Sequence, residues 1–448
     1  MPATRTKRRD RMNAEVTIIK TAAETALAEA FARRRTSLPG GREIAARREA
    51  AFRRFERAGL PHRRVEDWKY TDLRALMREG KPLAEAPDAG AKAAAKSAGS
   101  ILAGLRAHRI VIVDGTFVPE LSDAAIDGVT VTSFAHETAE RSDALAEPAN
   151  DDVALALNTA FASDGAVVRV NGGAIVPRPI QLVFVHSAGK ATAVFARSRV
   201  SVGAGAQLTL VESHEGPDGV DYQINTALDL EVGRGAKIDH VKVTCEGNAA
   251  LHVGTLSAEI GERAELRDFT FTLGGAVVRN QLFVACRGKD AQLSLSGVNL
   301  LRHRQHSDTT LVLDHAVGGS TSRELFKSVL DDESHGVFQG KIVVRHDAQK
   351  TDARMMTRAL LLSEAAEADN KPELEIFADD VQCGHGATAG SLDENLKFYL
   401  MARGIPDKEA EALLIQSFVG EAIETIAHEG VRADLMFAAV RWLGARGS

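Results

Sequence analysis

Between about residues 166 and 382, apolar and polar positions alternate, as in QLTLVES at 207–213, KIDHVKVTC at 237–245 and ELRDFTFTL at 265–273. A period of two sends successive side chains to opposite faces of a strand, and many of these residues are β-branched, so the stretch predicts sheet. The sheet also repeats. VGAGAQL at 202, VGRGAKI at 232, IGERAEL at 260 and RGKDAQL at 287 share a glycine, an alanine three places on and an aliphatic residue two after that. Ala206, Ala236, Ala264 and Ala291 are spaced by 30, 28 and 27 residues. Near-constant spacing predicts a coiled β-solenoid, with glycine at each corner and a small residue where successive corners stack. A β-sandwich with similar hairpin turns is the competing reading.

The ends of the chain carry a helical period instead. Residues 22–59 place apolar positions at helical spacing in a background of Ala, Glu and Arg, predicting two helices broken at Pro39-Gly40-Gly41. Residues 80–99 are poor in large apolar residues and read as a linker, and 108–165 as a mixed transition into the 166–390 core. After residue 390, Ser391 and Glu394 have capping-box spacing, Gly404 ends that helix and Pro406 starts the next. Ala410, Leu413, Leu414 and Phe418 fall on one face of this second helix, and ADLMFAAVRWL at 433–443 supplies a third. Such apolar helices must pack on one another, on the solenoid or on a partner.

Composition narrows the function classes. A net charge of -6 with both signs mixed offers no footprint for nucleic acid or an anionic membrane. Three cysteines, Cys245, Cys286 and Cys383, make neither a disulfide framework nor a paired zinc motif, which fits a reducing cytoplasm. Residues 1–21 read as a disordered basic leader without a signal-peptide core, with Met1 or Met12 as the start, and no apolar run of membrane-spanning length follows.

Common catalytic motifs are missing: Gly189-Lys190 precedes alanine and Gly340-Lys341 precedes isoleucine, so no phosphate loop is present. Histidines gather at His303, His306, His315, His335 and His346, near Asp308, Ser320 and Ser322. Imidazoles with an aspartate can hold a metal, but inter-rung hydrogen bonding explains them as well. Cys383-Gly384-His385 lies among small residues in ADDVQCGHGATAG at 378–390. It reads as a structural thiol in a glycine turn, as two ligands of an incomplete metal site, or as a nucleophile pair. Cys245 and Cys286 lie in repeat strands and read as core thiols.

ADDVQCGHGATAGSLDENLKFYLMARGIPDKEAEALL, from 378, and SRELFKSVLDDESHGVFQGKIVVRHDAQKTDA, from 322, resemble the C-terminal signature of the SufB/SufD family of iron-sulfur cluster assembly proteins. GLPHRRVEDWKYTDL, around Trp68-Lys69-Tyr70-Thr71, is similar to an element of the SufD branch. The resemblance implies a right-handed β-helix core flanked by helical ends. It implies a non-enzymatic scaffold that pairs with SufB through the β-helix and binds the ATPase SufC through its C-terminal helices, itself binding no nucleotide. Phe398, Leu414 and Phe418 are then core or contact residues. His385 is implied as a cluster or iron ligand, with Cys383 auxiliary, at an interface where a transient iron-sulfur cluster is shared with SufB. Homodimerisation of the isolated chain and a flavin in the complex are left open. Other readings are a self-sufficient SufB-like scaffold and a β-helix enzyme acting on carbohydrate.

Overall fold

The computed structural model describes residues 20–123, 125–145, 150–187 and 189–445. Apart from Lys20 and Thr21, the basic leader and both candidate starts lie outside them. Two long sheets form the centre, one of ten strands and one of nine, and from Ala166 onward successive strands alternate between them. Each strand pairs in parallel with the strand two places on, so the chain coils as a β-solenoid of about eight turns.

The alanine spacing is the inter-rung register. Gln207 pairs with Lys237, Lys237 with Glu265 and Glu265 with Gln292, and each preceding alanine carbonyl accepts from the next rung's amide at 2.9 Å. All four alanines are completely buried. The column continues upward as Ser320 and Thr351, whose carbonyls accept from Asp352 and Gln382, so the repeat outlasts its alanine signature. Glycine at these corners answers a close approach: a Cβ on Gly233 would lie 2.8 Å from the Val202 carbonyl oxygen of the rung below. Gly235 has φ +64°, but Arg263 and Asp290 take the same left-handed conformation one and two rungs later.

Inside the coil, each rung is apolar towards the alanine corners and polar towards the opposite end. Leu208, Leu210, Ile238 and Leu266 belong to one continuous apolar core, while Glu212, His214, His240, Lys242 and Asp268 on the same strands are also buried. Helices cover both outer faces. Ala22–Arg34, Arg42–Ala58 and Val153–Phe161 pack over Phe195, Leu251 and Val253 of one sheet. The C-terminal helices Asp407–Ile423 and Glu429–Gly444 lie over Val241, Val243, Phe269, Phe271 and Val298 of the other.

Four local expectations are corrected. The 80–99 stretch contains a helix, Ala89–Ala95, because Asp88 caps it and Ala95 buries against Val111 and Val113. Asp393, not Ser391, caps the helix Glu394–Met401, accepting from the Asn395 and Leu396 amides. The buried side of Asp407–Ile423 is Ala410, Ile415, Val419, Ala422 and Ile423, while Leu413 is exposed. Cys383-Gly384-His385 is not a turn: it lies in the strand Gln382–Gly390, held in parallel register on Asp352–Leu361. Its glycines make no turn because the neighbouring strand supplies an extended template.

Candidate functional site

Gln382–Gly390 and Glu367–Ile376 are the terminal strands of their sheets, and neither contains a fully buried residue. Each leaves one row of backbone amides and carbonyls without a strand partner among the described residues. Ile376 and Phe377 are exposed beside this edge. The solenoid thus ends on an open rung.

Cys383 lies over Ala353, and His385 over Met355. Ala353 and Met355 belong to the interior core, and Cys383 packs against the same core, so the period of two puts Cys383 and His385 on the inward-facing side of the last strand. Residues two apart on a strand are separated by about 6.6 Å, which lets both side chains reach one ion or cluster. They line a shallow depression of about 400 Å³ with Met355, Met356 and Gln382. Cys383 is half-buried and His385 exposed. Burial pushes the Cys383 thiol up, which favours the protonated form until a metal displaces the proton.

Sequence reasoning passed over Glu324. It lies under Met355, two rungs below His385, and is only 2% exposed. Burial pushes its carboxyl up to about 8, which Ser322 and Arg323 offset only in part, and neither oxygen has a partner at hydrogen-bonding geometry among the described residues. The signal was its parity: Glu324 shares the inward phase of Ser322 and Phe326. Ser322 itself pairs with His315 at 3.2 Å across the interior.

The five histidines between His303 and His346 do not all converge on one site. His303 and His346 are exposed and pair with Asp332 and Asp347. His306 contacts Thr71 at 2.9 Å and His335 at 3.2 Å, and His335 reaches Asp369 on the next rung at 2.8 Å. Asp308 is buried against Arg279, Thr71 and Gln339. These contacts explain Trp68-Lys69-Tyr70-Thr71: the Arg279 guanidinium lies 3.9 Å from the Trp68 ring centroid, and Trp68 Nε1 donates to Asp152 at 3.0 Å. The element fastens the N-terminal region to the solenoid's outer face. Cys286 is buried in the interior core with its thiol pushed up to about 12 by burial, and Cys245 packs under the C-terminal helices. Among the described residues, no helix is long and apolar enough to cross a membrane.

Residues 184–418 match the family described as SUF system FeS cluster assembly, SufBD core domain, and residues 22–182 match the SufBD protein N-terminal region. The iron-sulfur cluster assembly protein SufD of Escherichia coli (strain K12) is 30% identical over 85% of this chain and 88% of its own length. An iron-sulfur cluster assembly SufBD family protein of Synechocystis sp. is 31% identical over 82% of this chain and 84% of its own. SufD of Bacillus subtilis (strain 168) is 27% identical over 63% and 64%. The core match spans more than half of the chain and reaches from the early strands through the open rung into the C-terminal helices; the chain belongs to the SufBD family of iron-sulfur cluster assembly proteins, with SufD proteins among its homologues.

Proposed function

We propose that this chain is a non-ATPase scaffold subunit of a cytoplasmic SUF assembly complex, working beside SufB and the ATPase SufC. The observation that most supports this is the open last rung, which presents Cys383 and His385 from the inward side of an unpaired edge. A β-helix of SufB stacked there would pair with the free backbone groups and close over both side chains. Two ligands leave a four-coordinate iron incomplete, so the partner would supply the rest. The nascent cluster is cargo, with an imidazole nitrogen of His385 as ligand and the Cys383 thiol as auxiliary.

SufC would dock on the helix Glu394–Met401, which buries none of its residues and exposes Leu396, Phe398, Tyr399 and Met401. The two helices that follow pack on the sheet that ends in Gln382–Gly390. Nucleotide-dependent movement of SufC can bias the open rung only if SufC binds two states of the scaffold unequally.

Anaerobic co-purification with SufB and SufC tests the reading, comparing wild type with His385→Ala. An intact complex that has lost cluster assembly supports the ligand role. Failure of the wild-type chain to bind either partner overturns the account, and unchanged assembly in the variant removes the ligand role.

A further inference from the structure

A second group of ligand-type side chains lies inside the solenoid, on two adjacent rungs four to six strands before the open end. His214 lies on the strand Gln207–Glu215, His252 on Leu251–Ile260 of the opposite sheet, and Glu246 immediately after Lys237–Cys245. Both histidines are completely buried and Glu246 is 4% exposed. One ligating atom from each lies within 4.8 Å of the other two. His252 Nδ1 is already 3.2 Å from Glu246 Oε1.

Their surroundings prepare these groups to bind a cation. His214 Nε2 lies 3.1 Å from a Glu212 carboxylate oxygen, which can only accept, so Nε2 carries the proton and Nδ1 holds the lone pair. That buried Nδ1 has no partner among the described residues, which close-packed interiors avoid. Glu212 is held in turn by His240 at 3.0 Å, and His240 by Asp268 at 2.6 Å. Phe184 stacks on the His214 ring with centroids 4.5 Å apart. Tyr222 donates to the second Glu246 oxygen at 2.6 Å. Lys242 Nζ donates to His252 Nε2 at 3.0 Å, so in the metal-free chain His252 Nδ1 carries the proton and donates to Glu246. Metal-binding imidazoles and carboxylates are characteristically oriented by outer hydrogen bonds like those of His214 to Glu212 and of Tyr222 to Glu246.

We infer that His214, Glu246 and His252 form an internal site for one divalent first-row cation. Two imidazoles and one carboxylate match Zn²⁺, Fe²⁺ or Co²⁺ in preference to Mg²⁺ or Ca²⁺, and they leave a coordination position open. Binding requires His252 Nδ1 to give up its proton and its contact with Glu246 Oε1, so loading releases one proton. The enclosed position makes exchange slow. The site is independent of the open rung and of the partners proposed for it.

The test uses the full chain without a histidine tag, refolded with Co²⁺ under anaerobic conditions and then dialysed against chelator. One retained equivalent, with d–d absorption and an X-ray absorption shell of nitrogen and oxygen only, is expected. Glu246→Gln and His214→Asn should each lower retention at least tenfold, with circular dichroism unchanged, whereas His385→Ala should leave it intact. Retention below a tenth of an equivalent in the natively folded wild type overturns the inference. So do undiminished retention in the Gln and Asn variants, loss in His385→Ala, and sulfur in the metal shell, which would place the ion at a cysteine. The absorption shell is read on the wild type and His385→Ala lies outside the site, so a sulfur shell or a loss in His385→Ala overturns the inference even if a site variant fails to fold.

Discussion

The Lys327 ammonium lies 4.4 Å from the Phe418 ring centroid and donates to the same residue's carbonyl oxygen at 2.6 Å. Lys327 belongs to a solenoid strand and Phe418 to a C-terminal helix, so this one side chain joins the sheet to the helices that cover it. Glu421 on the same helix completes the charge pairing at 2.5 Å. Replacing Lys327 with methionine removes the ion pair, the carbonyl bond and the ring contact while keeping the volume. We expect a loss of about 1–3 kcal/mol in helix docking. Hydrogen exchange should show the change as faster exchange in residues 407–444, with little change in the early rungs.

Arg279 and Asp308 form an ion pair with both side chains at 0% exposure, capped by Trp68. Arg279→Leu leaves the Asp308 carboxylate buried without its guanidinium, a change that costs roughly 3–5 kcal/mol. A lower urea midpoint checks it. The double change Arg279→Leu with Asp308→Leu should recover part of the loss, because no charge is then left unpaired.

Glu324 makes stability depend on pH. Its carboxyl is raised from 4.5 to about 8 in the folded chain. Between these values the unfolded chain has lost a proton that the folded chain retains, so stability falls as pH rises through this window. The contribution reaches on the order of 4 kcal/mol by pH 8. Comparing urea midpoints at pH 5 and pH 8 for wild type and Glu324→Gln should show the downward slope reduced in the variant.

His385 and Phe398 should separate stability from function. Both are exposed, Phe398 at 71%, and surface substitutions away from packed features change stability by about 0.5 kcal/mol or less. His385→Ala and Phe398→Ser should therefore melt like wild type. On the proposed function, the first loses cluster assembly and the second loses SufC in pull-downs. A large drop in melting temperature for either would mark it as a structural residue.

The solenoid was legible because its rule is local and repeated. An inward aliphatic must recur every second residue and a small corner residue every rung, and a sequence displays both periods directly. The alanine signature faded after Ala291 because Ser320 and Thr351 satisfy the same steric limit with different names. The long terminal helices were equally plain, whereas the short helix Ala89–Ala95 was hidden in an alanine-rich stretch that reads as a linker. Helix orientation was not: Leu413 and Ile415 have similar hydrophobicity, and only docking on the sheet decides that Ile415 is buried and Leu413 exposed.

By itself the sequence determined the coil, the helical ends, the absence of a phosphate loop and the family, the last through the residues around Cys383, His385 and Trp68. The tertiary structure decided what those residues face. Cys383 and His385 share the inward side of a terminal strand because the register with Ala353 and Met355 puts them there. Glu246, His214 and His252 meet because two sheets close around them. Contacts made across the solenoid depend on how turns of 27 to 30 residues stack, and no period along the chain records which polar side chains that stacking brings together.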